Sequence, residues 1–456
     1  MDMRCFSDFL PRLVQAFVLA VVLCLATPFV ASTSHAAIIR DTEIEHYLLS
    51  IARPMAEEAG IDAESLKIRI IISPGFNAFV TGEDIIFINS GLLLDTESVL
   101  EVAGVIAHEI GHLASGHVQR RGEVISNAQG ATVLGAVAAI ALTATGNGAA
   151  AIGAVIGGAD QTNRIILHQS RQDESVADEW AIRLMDKLMF STRPMARMMK
   201  RLASERLLPV SRQSQYYQTH PGARERSIVF ETHAASLAYA DEPPPMSLSE
   251  AFARIQAKLS GWVNPTTQVL IGDVSEGAHS AELKRYQRAI ALFRLSDILA
   301  ATEEMQGLVR DYPDNPFYHE FLGDILLSSG QAPRAVDEYK TALGLLGADV
   351  NQGQILVSLG RALVAIGDDE SLGKAIPVLE EADGLEPRWG LVKHQLGISY
   401  GRLGRVVEAD LVLAERALMM GNFPLATQLA GRVTSSPDAT AIQKQLARDI
   451  IVQTEL

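Results

Sequence analysis

The sequence predicts an α+β domain, in which a small sheet packs with helices, followed by an all-α helical solenoid. Strand-like segments occur only before residue 90, whereas from about residue 280 the chain is a succession of helical segments without a strand signal. In that second half the pair Leu-Gly recurs at 322–323, 359–360 and 396–397, at intervals of 37 residues, which is typical of a helical repeat. A length of 456 residues is sufficient for two or three domains.

The composition is that of a globular protein, with 48% hydrophobic and 20% charged residues. The chain carries 54 acidic and 39 basic residues, a net charge of −15, which argues against a nucleic-acid-binding protein because such proteins present basic surfaces. We interpret the acidity as a contribution to solubility. The chain has two cysteines, Cys5 and Cys24.

Residues 1–36 are predicted to be a cleaved secretory signal peptide. Arg4 and Arg12 form a positive start, 13–31 is apolar and uncharged, and Ser34-His-Ala36 places small residues at a cleavage site. The predicted location is therefore the periplasm, and both cysteines would be lost with the signal. The alternative is a retained membrane anchor, because the apolar run is near the minimum spanning length.

In the first half, 42–62 is predicted to be helical, and 66–73 and 84–89 are predicted strands bounded by Pro-Gly and Gly-Glu. An edge strand of such a sheet can hold an extended peptide by β-augmentation. The candidate substrate strand consists of Ile85, Ile86, Phe87, Ile88 and Asn89. A core strand without that role is the alternative.

The segment His108-Glu-Ile-Gly-His112 predicts a zinc site on a helix. Histidines four residues apart project from one helix face, so His108 and His112 can share one Zn²⁺. Glu109 lies next to the open metal position, where it can accept a proton from water. The apolar run before it predicts a buried helix. An ordinary amphipathic helix that happens to carry these residues is the alternative interpretation.

A second helix, predicted at 171–184, provides the third ligand. Glu174 would complete a His₂Glu set that leaves the fourth position open. Asp178 lies one turn further along the same face and is predicted to accept the N–H of a ligating histidine. Asp173 and Glu179 lie on other faces and are predicted to be solvated.

The segment 128–160 is rich in alanine and glycine and is interrupted at 145–148. Each half is shorter than the ~20 residues of a membrane-spanning helix. A hairpin against the membrane surface, a buried core hairpin and a mobile lid over the site are alternative interpretations.

Together these motifs resemble the zinc metallopeptidases of family forty-eight in clan MA. The resemblance rests on HEIGH at 108–112, ESVAD at 174–178, Asn77-Ala-Phe79 before a strand, and Thr219-His-Pro221 with Arg226. It covers about residues 40–235. The chain lacks the several long membrane spans of some branches, so the soluble periplasmic branch with C-terminal tetratricopeptide repeats is the closer match.

The resemblance implies that one zinc ion is bound by His108, His112 and Glu174, with Glu109 as the catalytic base. It also implies that His220 approaches the metal, either as a removable fourth ligand or as a donor to the transition state. His117 lies five residues beyond His112, on a different face of the predicted helix, and His168 matches no motif, so both are interpreted as structural. The implied substrates are misassembled outer-membrane proteins, with the repeats docking on the assembly machinery.

The predicted helices from about residue 277 match tetratricopeptide repeats, and four or five units are expected. The usual period is about 34 residues, so insertions of about three are required, one of them expected at 368–370. Such an array binds peptides or proteins, although a scaffold that only stabilises its neighbour is the alternative. The predicted limits are a signal peptide at 1–36, a metallopeptidase domain at 37–240, a linker with a bridging helix at 241–276, and the repeats at 277–456.

The sequence thus predicts a periplasmic, zinc-dependent endopeptidase joined to a protein-binding array. The alternative is a periplasmic chaperone or adaptor whose proteolytic activity is latent or regulated. No nucleic-acid partner is expected.

Overall fold

The computed structural model describes residues 38–81, 84–117, 171–209, 212–266 and 281–455. The predicted signal peptide, the Ala/Gly-rich segment 128–160 and His168 lie outside the described residues. The described chain from Ile38 onward belongs to one compact unit, and it has the predicted α+β first half and all-α second half.

A four-stranded sheet forms the first layer. Its strands are β1 (Ile38–Ile39), β2 (Lys67–Ile71), β3 (Ala78–Thr81) and β4 (Ile85–Asn89), in the order β1-β2-β4-β3. β2 and β4 are parallel, with Ile68 opposite Ile86, and the outer pairs are antiparallel. Alternate residues of β2 and β4 are fully buried, as expected where one face of a sheet covers a core.

The prediction that β4 is an edge strand is wrong. Its residues, Ile85, Ile86, Phe87, Ile88 and Asn89, pair with β2 on one side and β3 on the other. Backbone groups that already pair on both sides are not available to an added chain. Within the described sheet the edges are β1 and β3.

Three helices pack on the sheet or follow it directly: α1 (Thr42–Glu58), α2 (Ser90–Asp95) and α3 (Val99–Ala114). Asp41 caps α1 by accepting from the backbone N–H of Ile44, and Ser98 caps α3 by accepting from Leu100. In α3 every residue from Val99 to His112 is buried. This burial explains why the helix is largely apolar: Glu101, the acidic residue of α3 outside the predicted site, is paired with Arg201.

Five further helices complete the first half. They are α4 (171–187), α5 (Arg193–Ser204), α6 (Gln215–Thr219), α7 (Ala223–Ser236) and α8 (Met246–Val263), with a short 3₁₀ turn at Glu205–Leu207. α4 and α5 pack against α3, and α7 packs against α5.

The second half consists of five antiparallel helix pairs among the described residues. They are α9 (Ala281–Arg294) with α10 (Ile298–Asp311), α11 (Pro316–Ser328) with α12 (Ala332–Leu345), α13 (Gly353–Ile366) with α14 (Asp369–Leu385), α15 (Gly390–Arg402) with α16 (Val406–Met419), and α17 (Phe423–Ser435) with α18 (Ala441–Glu455). The predicted solenoid of repeats is confirmed.

The recurring glycine lets the two helices of a pair approach closely. A Cβ at Gly323 would lie 2.7 Å from the ring of Tyr339, and one at Gly360 would overlap the side chain of Leu379. The second helix begins nine residues after the glycine in each of the three repeats, at Ala332, Asp369 and Val406. The insertion expected at 368–370 is therefore not there. The additional residues lie in the loop 346–352 and in the last turn of α14, which has 17 residues where α12 has 14.

Buried ion pairs join the two halves. The Lys258 amine on α8 lies 2.6 Å from Asp41 and 3.1 Å from Glu43, and Glu43 accepts from the hydroxyl of Tyr286 on α9. Glu386, after α14, pairs with two arginines of the sheet layer, Arg40 and Arg69. α8 also packs against α1, α2 and α9, so it bridges the halves as expected, while the predicted domain limits stay predictions. Among the described residues no helix is both long and apolar enough to cross a membrane.

Candidate metal centre

The candidate site forms where α3, α4 and the end of α6 converge. α3 carries His108 and His112 one turn apart, and α4 presents Glu174 to them. His220 caps the C-terminus of α6, and its backbone N–H donates to the carbonyl of Tyr216 at 2.8 Å. All four side chains are buried.

Four donor atoms of these side chains face one another. The Nε2 atom of His108 lies 3.1 Å from Nε2 of His112, 3.2 Å from Nδ1 of His220 and 3.2 Å from Oε2 of Glu174. Glu174 also lies 3.4 Å from Nε2 of His112 and 3.1 Å from Nδ1 of His220. Tetrahedral zinc bonds of about 2.0–2.1 Å place ligand atoms about 3.3 Å apart. The donor set and its spacing therefore fit one such cation.

The protonation chemistry also fits a cation. Three imidazole nitrogens and a carboxylate cannot all satisfy one another by hydrogen bonds, and Oε1 of Glu174 is buried without a hydrogen-bond partner among the described residues. Burial lowers the pKa of His112 to about 3, which keeps this imidazole neutral. Burial also opposes the charging of His108, but hydrogen bonds with Asp178 and Glu174 prevail and raise its pKa to about 9. A metal ion at this site competes with that proton.

Glu109 lies beside the cluster without belonging to it. Its side chain is 1% exposed, and its Oε1 lies 3.6 Å from Nε2 of His220 and has no hydrogen-bond partner among the described residues. Burial raises the pKa of this carboxyl. A buried carboxylate with a free oxygen next to a metal position can take up and release a proton.

Asp178 and Arg226 support the cluster from behind. Nδ1 of His108 lies 3.0 Å from Oδ1 of Asp178, as expected from the spacing on α4. Arg226 on α7 donates through Nε and a terminal nitrogen to the two oxygens of Asp178, at 2.8 and 2.7 Å, and through its other terminal nitrogen to Glu174 at 2.9 Å. The sequence motif included Arg226 but gave it no role. Here the guanidinium fixes both carboxylates, each through charge-assisted hydrogen bonds.

Two residues predicted to be peripheral lie against the site. Asp173 was expected on a solvated face, but it is 3% exposed and lies 3.4 Å from Nε2 of His117. His117 was interpreted as structural, but its Nδ1 lies 2.8 Å from Nδ1 of His112. The expectation for Asp173 is wrong because its partner comes from another helix. Glu179 is exposed, as expected.

Tyr216 positions the ring of His220. The two rings stack with centroids 4.3 Å apart at 27°, and Phe76 packs edge-on against Tyr216. The Tyr216 side chain is fully buried, and its hydroxyl has no hydrogen-bond partner among the described residues.

Gly111, between the two histidines, permits the close contact of α3 and α4. A Cβ at this position would lie 2.8 Å from Cβ of Trp180 and 2.9 Å from the carbonyl oxygen of Ala177. Without a side chain here, α4 comes near enough for Glu174 to reach the histidines.

A cavity of about 990 Å³ adjoins the site. Its walls include Glu174, Arg226, Tyr217, Arg206 and Val229. The mixture of charged and apolar walls suits a peptide better than a small apolar ligand.

The chain is similar to several proteins of known name. Residues 43–231 match Peptidase family M48. A putative beta-barrel assembly-enhancing protease of Vibrio cholerae is 26% identical over 293 residues, which are 63% of this chain and 60% of that protein. The beta-barrel assembly-enhancing protease of Escherichia coli K12 is 24% identical over 315 residues, 68% of this chain and 63% of that protein. Metalloprotease LoiP of Escherichia coli K12 is 26% identical over 194 residues, which are 41% of this chain and 69% of that protein.

The matched region spans about three fifths of the length of the beta-barrel assembly-enhancing relatives. Two solved structures resemble the chain with low TM-scores. A thermophilic TPR protein of Thermus thermophilus covers 38% of this chain with 20% identity and a TM-score of 0.25, over 100% of its own length. Yeast Tom70 covers 64% of this chain and 63% of its own, with 16% identity and a TM-score of 0.31. The assignment of the solenoid rests on the helix pairs described above.

The family match begins in α1 and ends in α7, so it contains all four residues of the cluster together with Glu109, Asp178 and Arg226. The resemblance inferred from the motifs is thereby confirmed: residues 43–231 of this chain form a domain of peptidase family M48.

Proposed function

We propose that the protein is a zinc-dependent endopeptidase. The observation that carries this proposal is the convergence of His108, His112, Glu174 and His220 next to the free carboxylate oxygen of Glu109. Two histidines with one glutamate are a donor set typical of catalytic zinc, and all of these residues lie within the match to Peptidase family M48.

In this proposal His108, His112 and Glu174 hold the ion, and His220 occupies or vacates the fourth position. Zinc, when bound, supplies Lewis acidity that polarises a peptide carbonyl and lowers the pKa of water. Glu109 accepts the proton of the attacking water and passes it to the leaving amine nitrogen. Its burial supports this role, because burial raises the pKa of the Glu109 carboxyl and so favours its taking up a proton.

We further propose a periplasmic location and substrates among misfolded or misassembled proteins of the envelope and outer membrane. This proposal is supported by the similarity to the beta-barrel assembly-enhancing proteases of Vibrio cholerae and Escherichia coli and by the apolar N-terminal segment. Contact of 128–160 with a membrane surface stays a prediction.

The array is proposed to bind proteins, with the outer-membrane protein assembly machinery as one candidate partner. Its last helices expose large apolar side chains, which are common where proteins dock. They are Met420, Phe423, Ile442, Leu446 and Val452.

A chaperone or adaptor with latent proteolytic activity is the second candidate. The observation that favours it is the position of His220, whose Nδ1 lies within 3.2 Å of both His108 and Glu174. A fourth protein ligand would leave no position for substrate, as in closed structural zinc sites.

Zinc content and cleavage of casein and unfolded outer-membrane protein, measured together, test the proposal. We expect about one zinc per chain and cleavage by the wild type, and zinc without cleavage in Glu109→Gln. His233→Ala is the matched control, since His233 lies on α7 outside the cluster and bonds to Asp186. A gain of activity in His220→Ala would identify His220 as an inhibitory ligand.

Two results would contradict the proposal that the protein is an enzyme. Zinc binding without cleavage by the wild type or by His220→Ala favours the chaperone or adaptor. Absence of zinc from the wild type refutes the site itself.

A further inference from the structure

We propose that His117 and Asp173 form a hydrogen-bond relay that positions His112 for the metal. The proposal rests on the function proposed above, in that it takes His112 to be a zinc ligand. It assigns both residues as positioning residues, which act through His112 and touch neither substrate nor metal.

The relay is a chain of three buried side chains. Nδ1 of His112 lies 2.8 Å from Nδ1 of His117, and Nε2 of His117 lies 3.4 Å from Oδ1 of Asp173. The two imidazole rings meet at 68° with centroids 5.0 Å apart. None of the three residues is more than 3% exposed, so water does not replace these contacts.

The order of protons along the relay follows from the metal position. His112 directs Nε2 at the cluster, so as a neutral ligand it carries its proton on Nδ1 and donates it to Nδ1 of His117. His117 then carries its own proton on Nε2, where it faces the carboxylate of Asp173. Each imidazole is thereby held in one tautomer and one orientation, and the charge of Asp173 strengthens His112 as a donor to zinc.

α4 therefore supports both ligating histidines, in two different ways. Asp178 faces His108 directly at 3.0 Å and also binds Arg226. Asp173 reaches His112 only through an intervening imidazole. Because Asp173 and Asp178 flank Glu174 on the same helix, one rigid element aligns the carboxylate ligand and the supports of both histidines.

The local backbone brings His117 to this place. On a continuing helix a residue five positions beyond His112 would point to another face. α3 ends at Ala114 and Gly116 has a φ of 64°, a left-handed conformation that glycine adopts without strain. The chain therefore turns back, and His117 contacts the helix that it has just left.

Zinc affinity measured by chelator competition on the full chain tests the relay, because it does not depend on proteolysis. In His117→Leu we expect the dissociation constant to rise about 10–100-fold, as is usual when the partner of a ligating histidine is lost. In His117→Asn the amide oxygen takes the place of Nδ1 and accepts from His112, so most of the affinity should return. Asp173→Asn keeps a hydrogen-bond acceptor but loses the negative charge. Its loss of zinc affinity should be smaller than that of His117→Leu.

His319→Leu is the matched control, because His319 is a buried histidine of the array with two hydrogen bonds. It should leave zinc affinity unchanged. Thermal unfolding of the metal-free variants shows whether each one folds, and His117→Asn and Asp173→Asn test the relay even where His117→Leu does not fold.

Three outcomes overturn the relay. They are wild-type zinc affinity in both His117→Leu and Asp173→Asn, an affinity in His117→Asn as weak as that in His117→Leu, and a wild type that binds no zinc. Only the last also refutes the proposed metal site. A wild type that binds zinc without cleaving peptides refutes the proposed activity alone, and the expected order of affinities then still supports the relay.

Discussion

Replacing Gly111 with alanine should weaken metal binding and lower stability only modestly. The new Cβ would lie 2.8–3.0 Å from atoms of Trp180 and Ala177, which include backbone atoms of Ala177. Since ordinary contacts require about 3.5–4.0 Å, α4 must move away from α3 by roughly 0.7–1 Å. Zinc bonds tolerate only about ±0.2 Å, so Glu174 can no longer bind together with the histidines.

The stability terms nearly cancel in Gly111→Ala. Overpacking costs about 1–3 kcal/mol, while alanine gains about 0.8–1 kcal/mol over glycine within a helix. We therefore expect a net loss of roughly 0–2 kcal/mol in the metal-free protein, against a loss of zinc affinity of at least about tenfold.

Chelator competition and urea unfolding in EDTA separate the two effects. Gly104→Ala is the matched control, since it adds the same methyl group to the same helix but against the flexible side chain of Met195. It should leave zinc affinity unchanged. Wild-type zinc affinity in Gly111→Ala would refute the argument that the closeness of α3 and α4 sets the ligand geometry.

Substitutions at three other positions test the remaining contacts. Glu386→Gln leaves two partly buried arginines, Arg40 and Arg69, with less countercharge and should destabilise the protein by about 1–3 kcal/mol in urea unfolding. An unchanged midpoint would show that these ion pairs contribute nothing to stability. Lys258→Met leaves the carboxylate of Asp41 without its cationic partner and should lower the free energy of unfolding by about 3 kcal/mol. Burial opposes the charge of Lys258, but Asp41 and its neighbours prevail and raise the pKa of the amine well above 10.5. The contribution of the charged Lys258 to stability is complete below the pKa of an unfolded lysine, about 10.4, and disappears only as pH rises through the folded pKa. The loss of unfolding free energy in Lys258→Met should therefore be the same at pH 7 and pH 9. A loss that is smaller at pH 9 contradicts the pairing. Tyr216→Phe retains the ring that stacks on His220 and should keep zinc affinity, whereas Tyr216→Leu should reduce it, and equal affinities in the two variants contradict a positioning role for the ring.

The parts of the site that sequence predicts best are those set by local periodicity. The four-residue spacings of His108 with His112 and of Glu174 with Asp178 determine which side chains share a helix face. Those pairs required no knowledge of the fold, and the structure brings the two faces together. The left-handed turn at Gly116, in contrast, breaks the periodicity, so helical geometry extended past Ala114 placed His117 on the wrong face.

The features that the sequence did not predict depend on contacts between residues that are distant along the chain. β3 has four residues, too few for a recognisable alternation, yet its pairing with β4 makes β4 an internal strand. Acidic and basic residues on α1 and β2 resemble those of a solvated surface. Glu43 and Arg69 are buried or nearly so only because the array covers them, and a sequence pattern does not reveal what covers a surface.

The hydrogen bonds between the two halves also constrain the order of folding. The guanidinium of Arg53 bonds to the carbonyl of Asp349 across 296 residues, and Thr42 bonds to Glu320 across 278. Contacts this distant along the chain form late, because closing so long a loop costs entropy before any contact is gained. Until those contacts form, β1, α1 and β2 display a charged face that the array does not yet cover, and a helper protein that shields such a face would act before the array is complete.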